Sequence, residues 1–181
     1  MSQGQTTSVR PGEARQAFTA RLQVSPSQAR VGDLLQVTGS GYPAGAPVSL
    51  VWHTIKGRYE VEGGTEFIGE QFDPWVESIG SILADQDGKI QTAFPVPTGF
   101  GGIHDLRGVV DGQEVSQAGV TVYPTITLTP LEGPIGTPIE LRIVGVDRQI
   151  NVNTWHVLYD NHYLGLVTAV TTDGVAVARF S

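Results

Sequence analysis

The chain has 181 residues, 40% of them hydrophobic, with 23 Gly, 11 Pro and no Cys. Its 18 acidic residues against 11 basic ones leave a net charge of −7. That charge repels phosphate backbones, and no basic patch with interleaved aromatics offsets it, so nucleic acid is disfavoured as a partner. The lack of cysteine excludes disulfides, thiolate metal sites and cysteine nucleophiles. No run approaches the roughly 18 apolar residues of a membrane span, so no membrane insertion is expected.

Residues 1–18 are polar and aperiodic and read as a flexible N-terminal arm. The opening MSQGQTTSVRPGEARQ has no apolar stretch of the secretory type. Either a signal has been removed or the protein is assembled from inside a cell. From Leu22 the pattern is that of β-strands. In LLQVTGSG, Leu35 and Val37 alternate with Gln36 and Thr38, and in VSLVWH, Val48, Leu50 and Trp52 share a face. Asp87-Gly88 in LADQDGKIQTAF is a type I′ hairpin signal, followed by Ile90, Thr92 and Phe94 on one face. A final hairpin turns at Asp111-Gly112 and ends on Ala118, Val120 and Val122. No apolar stripe of helical period persists, and short strands with turn signals at this spacing predict an all-β antiparallel sandwich.

The chain then repeats itself. VSPSQARVGDLLQVTGSGY, from Val24, returns as LTPLEGPIGTPIELRIVGV, from Leu128, at an offset of 104. Val24 falls on Leu128, Pro26 on Pro130, Gly32 on Gly136, Val37 on Leu141 and Gly41 on Gly145. Inward positions stay apolar while outward ones vary, as a shared buried face requires, because a slip of one residue would turn the whole set to solvent. DGKIQTAF recurs as DGVAVARF at an offset of 86, so the first copy holds about 18 residues that the second lacks. Two like β-sandwich units are expected: 19–124, with an insertion at about 56–80, and 125–181, which lacks its last strands. The missing strands are expected from further polypeptide or from another chain. Proline should stiffen the Tyr123-Pro124 junction.

SPSQARVGDLLQVTGSGYPAGAPVSLVW, ADQDGKIQTAFPVP and GGIHDLRGVVDG resemble bacterial immunoglobulin-like modules of surface proteins, and PTITLTPLEGPIGTPIELRIVG is similar to the IPT/TIG branch. The resemblance runs from about Leu22 to the end. It implies tandem modules of an extracellular, cell-surface or filament protein that serve as spacers, adhesive or assembly elements without catalysis. One departure concerns register. At the 104 offset Trp52 meets His156, while Trp155 comes one residue early, so a one-residue gap is expected before that strand.

Candidate sites are few. GSGYPAG has the wrong spacing for a phosphate loop and no helix after it, so it is a turn. DQDG lacks the later ligands of a calcium loop. His104 is expected to pack, and Asp160, Asn161 and His162 to form an Asx-type turn. Glu60, Glu62, Glu66, Glu70 and Glu77 offer carboxylates but no legible cleft. No catalytic, metal or cofactor residue is assigned. The insertion brings Tyr59, Phe67, Phe72 and Trp75, which either bind a partner or pack as an added hairpin. The expected partners are other protein subunits and, alternatively, a glycan. The expected role is non-enzymatic and structural or adhesive, at a bacterial surface or in an extracellular filament. A phage decoration or tail protein and a carbohydrate-binding module are the alternatives.

Overall fold

A computed structural model of the chain describes residues 18–63, 66–147, 154–168 and 174–181. Residues 1–17, which hold nearly all of the expected N-terminal arm, lie outside that set. The described residues form thirteen strands and no helix, so none is available to cross a membrane.

In the first part of the chain two sheets face each other across one core. Strands β1 (Arg21–Ser25), β3 (Leu34–Ser40) and β6 (Lys89–Pro95) make a three-stranded sheet in the order β1-β3-β6. The opposing sheet has the order β2-β8-β7-β4-β5. Its strands are β2 (Gln28–Arg30), β4 (Pro47–Glu62), β5 (Glu66–Leu83), β7 (Gly102–Val110) and β8 (Gln113–Tyr123). The period-2 faces read from the sequence are the buried ones: Leu35, Val37, Ile90 and Phe94 meet Val48, Leu50, Trp52, Leu106, Val120 and Val122. Pairing is antiparallel except for β2 and β8, which run parallel. A chain that leaves β1 and crosses within a few residues to the other sheet must arrive beside β8 in that direction.

The rest of the chain repeats half of this plan. After Pro124 come β9 (Thr125–Thr129), β10 (Ile139–Val144) and β13 (Val175–Phe180), ordered β13-β10-β9. Strands β11 (Thr154–Tyr159) and β12 (His162–Thr168) form a separate hairpin. Both offsets recur as strand register. Val24 pairs with Val37 as Leu128 pairs with Leu141, and Leu35 pairs with Phe94 as Ile139 pairs with Phe180. The turn glycines correspond too: Gly32 and Gly136 have φ of 87° and 86°, a left-handed conformation that side chains disfavour. A second buried cluster joins Leu141, Ile143, Val167 and Ala176, with Trp155 and Val157 packed on it. Trp155, and not the exposed His156, therefore takes the inward place of Trp52, which puts the expected one-residue gap before β11.

Two turn expectations are corrected. Asp87-Gly88 does not close a hairpin, because β5 and β6 lie in different sheets. Gly88 has φ 70°, but Asp87 is not among the residues with positive φ, so the turn is not type I′. The side chain of Asp85 shapes it, its Oδ1 accepting the N–H groups of Asp87 (2.9 Å) and Lys89 (2.8 Å). The reverse holds for Asp160-Asn161. Both have positive φ (46° and 61°) between paired Tyr159 and His162, so this turn is type I′ in place of the Asx turn.

Candidate functional site

The expected insertion proves to be a lengthening of two strands. β4 and β5 have 16 and 18 residues, whereas their counterparts β11 and β12 have 6 and 7. β7 supports β4 only from Ser49 to His53, so beyond His53 the β4–β5 hairpin continues as a two-stranded ribbon past the edge of the sheet. A pair of strands alone is marginal in water, and something must brace it.

Phe72 supplies the brace. Its register partner is Gly57, where a Cβ would overlap the Gln71 carbonyl oxygen and lie 2.7 Å from both the Cα and the ring of Phe72. The ring then meets Phe100 edge-on, with centroids 5.5 Å apart at 89°. Aromatic packing over a cross-strand glycine compensates for the glycine's lack of burial. Register shifts at Leu50/Val51 and at Glu60/Val61 break the regular pleat.

Trp75 does something else. Three residues from Phe72 on an extended strand, it points to the opposite face. It stands exposed, with the Lys56 ammonium 3.6 Å from its ring centroid. Ile68 is exposed on the same ribbon, and Val76 is exposed at its base, opposite His53 and on the other face from Trp75. Of the four aromatics expected to meet a partner, Phe72 is thus turned to the protein and Trp75 to solvent, and the two share no platform. Tyr59 and Phe67 lie on the ribbon backbone, opposite Glu70 and Val61, but their side chains fall outside the described set. Ile68 and Val76 were missed by the sequence reading, which searched for aromatics only. Six carboxylates and two cations between residues 54 and 77 make the ribbon the most acidic part of the chain.

The base of the ribbon holds a charge cluster that sequence reasoning also missed. The Arg107 guanidinium bonds the Glu114 carboxylate and reaches Asp105 at 3.3 Å. Glu114 also lies 2.8 Å from His53 Nε2. These residues come from three neighbouring strands of one sheet, and only the cross-strand register brings them together. His104 packs as expected. It is buried, stacks on Trp52 at 4.9 Å, and places Nε2 2.9 Å from the Phe100 carbonyl oxygen and Nδ1 3.2 Å from that of His53. A depression of about 530 Å³ beside it is lined by His53, Asp105 and Asp147. Among the described residues no three His, Asp or Glu side chains converge as metal ligands. The ribbon carboxylates Glu62 and Glu66 are exposed and opposed across the strand pair, with no cleft between them.

Fold and surface together define an all-β sandwich protein with a projecting, partly apolar ribbon. No family model matches the chain, and no curated protein matches it either. Among solved structures it is similar to Salmonella α2-macroglobulin reacted with methylamine, at 13% identity and a TM-score of 0.40 over 90% of this chain and 12% of that one. It is also similar to native Escherichia coli α2-macroglobulin, at 13% identity and a TM-score of 0.39 over 84% and 11%. A third similar structure is the sporulation control protein Spo0M of Bacillus subtilis, at 13% identity and a TM-score of 0.31 over 91% and 90%. The chain spans about an eighth of the α2-macroglobulins' length. Superpositions this loose place it in no family, and the IPT/TIG-like resemblance rests on the quoted residues alone.

Proposed function

We propose that this is a non-enzymatic structural protein that assembles with copies of itself, as a component of a bacterial surface or extracellular filament. The observation that carries the reading is the ribbon: Ile68 and Trp75 stand in solvent on a braced projection, with Val76 exposed at its base, and the second copy of the repeat lacks that projection. Apolar groups held out on a rigid support favour contact with another protein surface. The resemblance to bacterial surface modules supports the location. A ribbon of negative charge repels its own copies, so association should strengthen as salt screens it.

Sedimentation equilibrium over a range of concentration and ionic strength tests the reading. The wild type should associate, more strongly at higher salt, and the Ile68→Ser, Trp75→Ser, Val76→Ser triple variant should remain monomeric. A wild type that stays monomeric throughout, or a triple variant that associates equally well, would end it.

A further inference from the structure

Gly99, Phe100, Gly101 and Gly102 form a four-residue stretch with a single side chain. Within that span the chain touches three parts of the molecule. Toward the ribbon, the Phe100 ring makes the edge-on contact with Phe72. Toward the first core, the Phe100 carbonyl oxygen faces Nε2 of buried His104, whose ring stacks on Trp52. Toward the second unit, the Gly101 N–H donates to the Val146 carbonyl oxygen at 3.0 Å. Two more close approaches lie on that side. A Cβ on Gly102 would overlap the Asp147 carboxylate, and one on Gly174 would overlap the Gly99 carbonyl oxygen. The Val146 N–H itself donates to the Gly174 carbonyl oxygen at 2.9 Å. The stretch therefore meets the second unit where the end of β10 and the start of β13 are tied together.

Phe100 is what fixes the stretch in place. Its side chain is 4% exposed, yet it belongs to neither of the two buried clusters. Part of its cover is the Phe72 ring, which arrives on the ribbon and not from either core. Glycine-rich main chain gains the most freedom when its contacts are lost. With Phe100 uncovered, the three glycines offer no side chain to keep the Gly101 N–H aimed at Val146.

We infer that residues 99–102 couple the ribbon to the second unit. Lifting Phe72 off Phe100 loosens the hold on 145–147, and loosening that hold frees the ribbon. The effect runs equally both ways, because both ends bias one segment between a seated and a released arrangement. It is independent of the assembly reading and holds whether or not the ribbon meets another copy of the chain. A partner that moved the ribbon off Phe100 would thereby change how firmly the second unit is held.

Amide exchange on the full chain tests both directions. Phe72→Ala should quicken exchange at Gly101 and Val146 by about tenfold, although both amides lie outside the ribbon. Gly101→Ala should quicken exchange along 54–75 by a similar factor. Phe72→Leu keeps an apolar group over Phe100, and Trp75→Ala alters the opposite face of the ribbon. Both should leave Gly101 and Val146 near their wild-type rates. Unchanged exchange in β3 would verify that each variant stays folded. Wild-type rates at Gly101 and Val146 in Phe72→Ala overturn the inference, as does a ribbon indifferent to Gly101→Ala. So does quickening in Trp75→Ala equal to that in Phe72→Ala. Equal quickening in β3 overturns it too, since the change would then be a general loss of stability. Self-association, present or absent, bears on the assembly reading alone.

Discussion

Tyr42 shows how much one polar contact contributes to the first core. Its ring is buried, and its hydroxyl lies 2.7 Å from the Oγ of Ser116, itself fully buried on β8. Gly108 makes the pair possible, because a Cβ there would overlap Ser116 Oγ and come within 2.9 Å of the Tyr42 oxygen. Burial pushes the Tyr42 phenol above its ordinary range, and the Ser116 hydrogen bond offsets only part of that rise. The fold thus favours the neutral phenol. Its contribution is complete below about pH 10, where an unfolded tyrosine ionises, and is lost as pH climbs through the raised folded-state value. Urea unfolding followed against pH should show a loss of stability above pH 10. In Tyr42→Phe that alkaline loss should be smaller, with a cost near neutrality of about 1–3 kcal/mol for leaving Ser116 unpartnered.

At the scale of elements, the ribbon is the part whose form depends on a single small residue. Gly57 lets the main chain at Gln71 and the Phe72 ring come close, and the ring ties the ribbon to Phe100 in the loop before β7. Gly57→Val would collide with the Gln71 carbonyl oxygen as well as with the ring, so it should part the two strands there, displace Phe72 and free the ribbon, at a cost of about 1–3 kcal/mol. Hydrogen exchange should then quicken along 54–75 and stay unchanged in β3 and β6. Uniform quickening across both sheets would show that the ribbon is not an independent element. The turns make a parallel point. Asp111-Gly112 closes a hairpin as its sequence suggests, with φ of 49° and 76° between paired Val110 and Gln113. Asp87-Gly88 has the same letters, yet it carries the chain from one sheet to the other. The dipeptide encodes a bend. The strands on either side decide what the bend connects.

For the whole molecule, the two copies meet through main chain. The Gly101 N–H donates to the Val146 carbonyl oxygen at 3.0 Å, and a Cβ on Gly101 would overlap the Gly145 carbonyl oxygen. Approach this close needs glycine on at least one side. Gly101→Ala should therefore separate 99–102 from 145–147. Faster exchange of the Gly101 amide should accompany a loss of about 1–3 kcal/mol in urea unfolding. Exchange in the first core, around Leu35 and Val37, should hardly change.

The sequence by itself determined the all-β class, the faces that are buried and the repeat, whose two offsets recur as strand register. These follow from local rules: a period of two along each strand, and glycine where φ is positive. Tertiary structure alone decided that Phe72 and Trp75 part company, that His53, Asp105, Arg107 and Glu114 form one cluster, and that Ile126 is exposed where Leu22 is buried. Each of those outcomes depends on which strand lies alongside, and residues far apart in the chain settle that. A side chain records that it needs cover without naming the segment that will provide it.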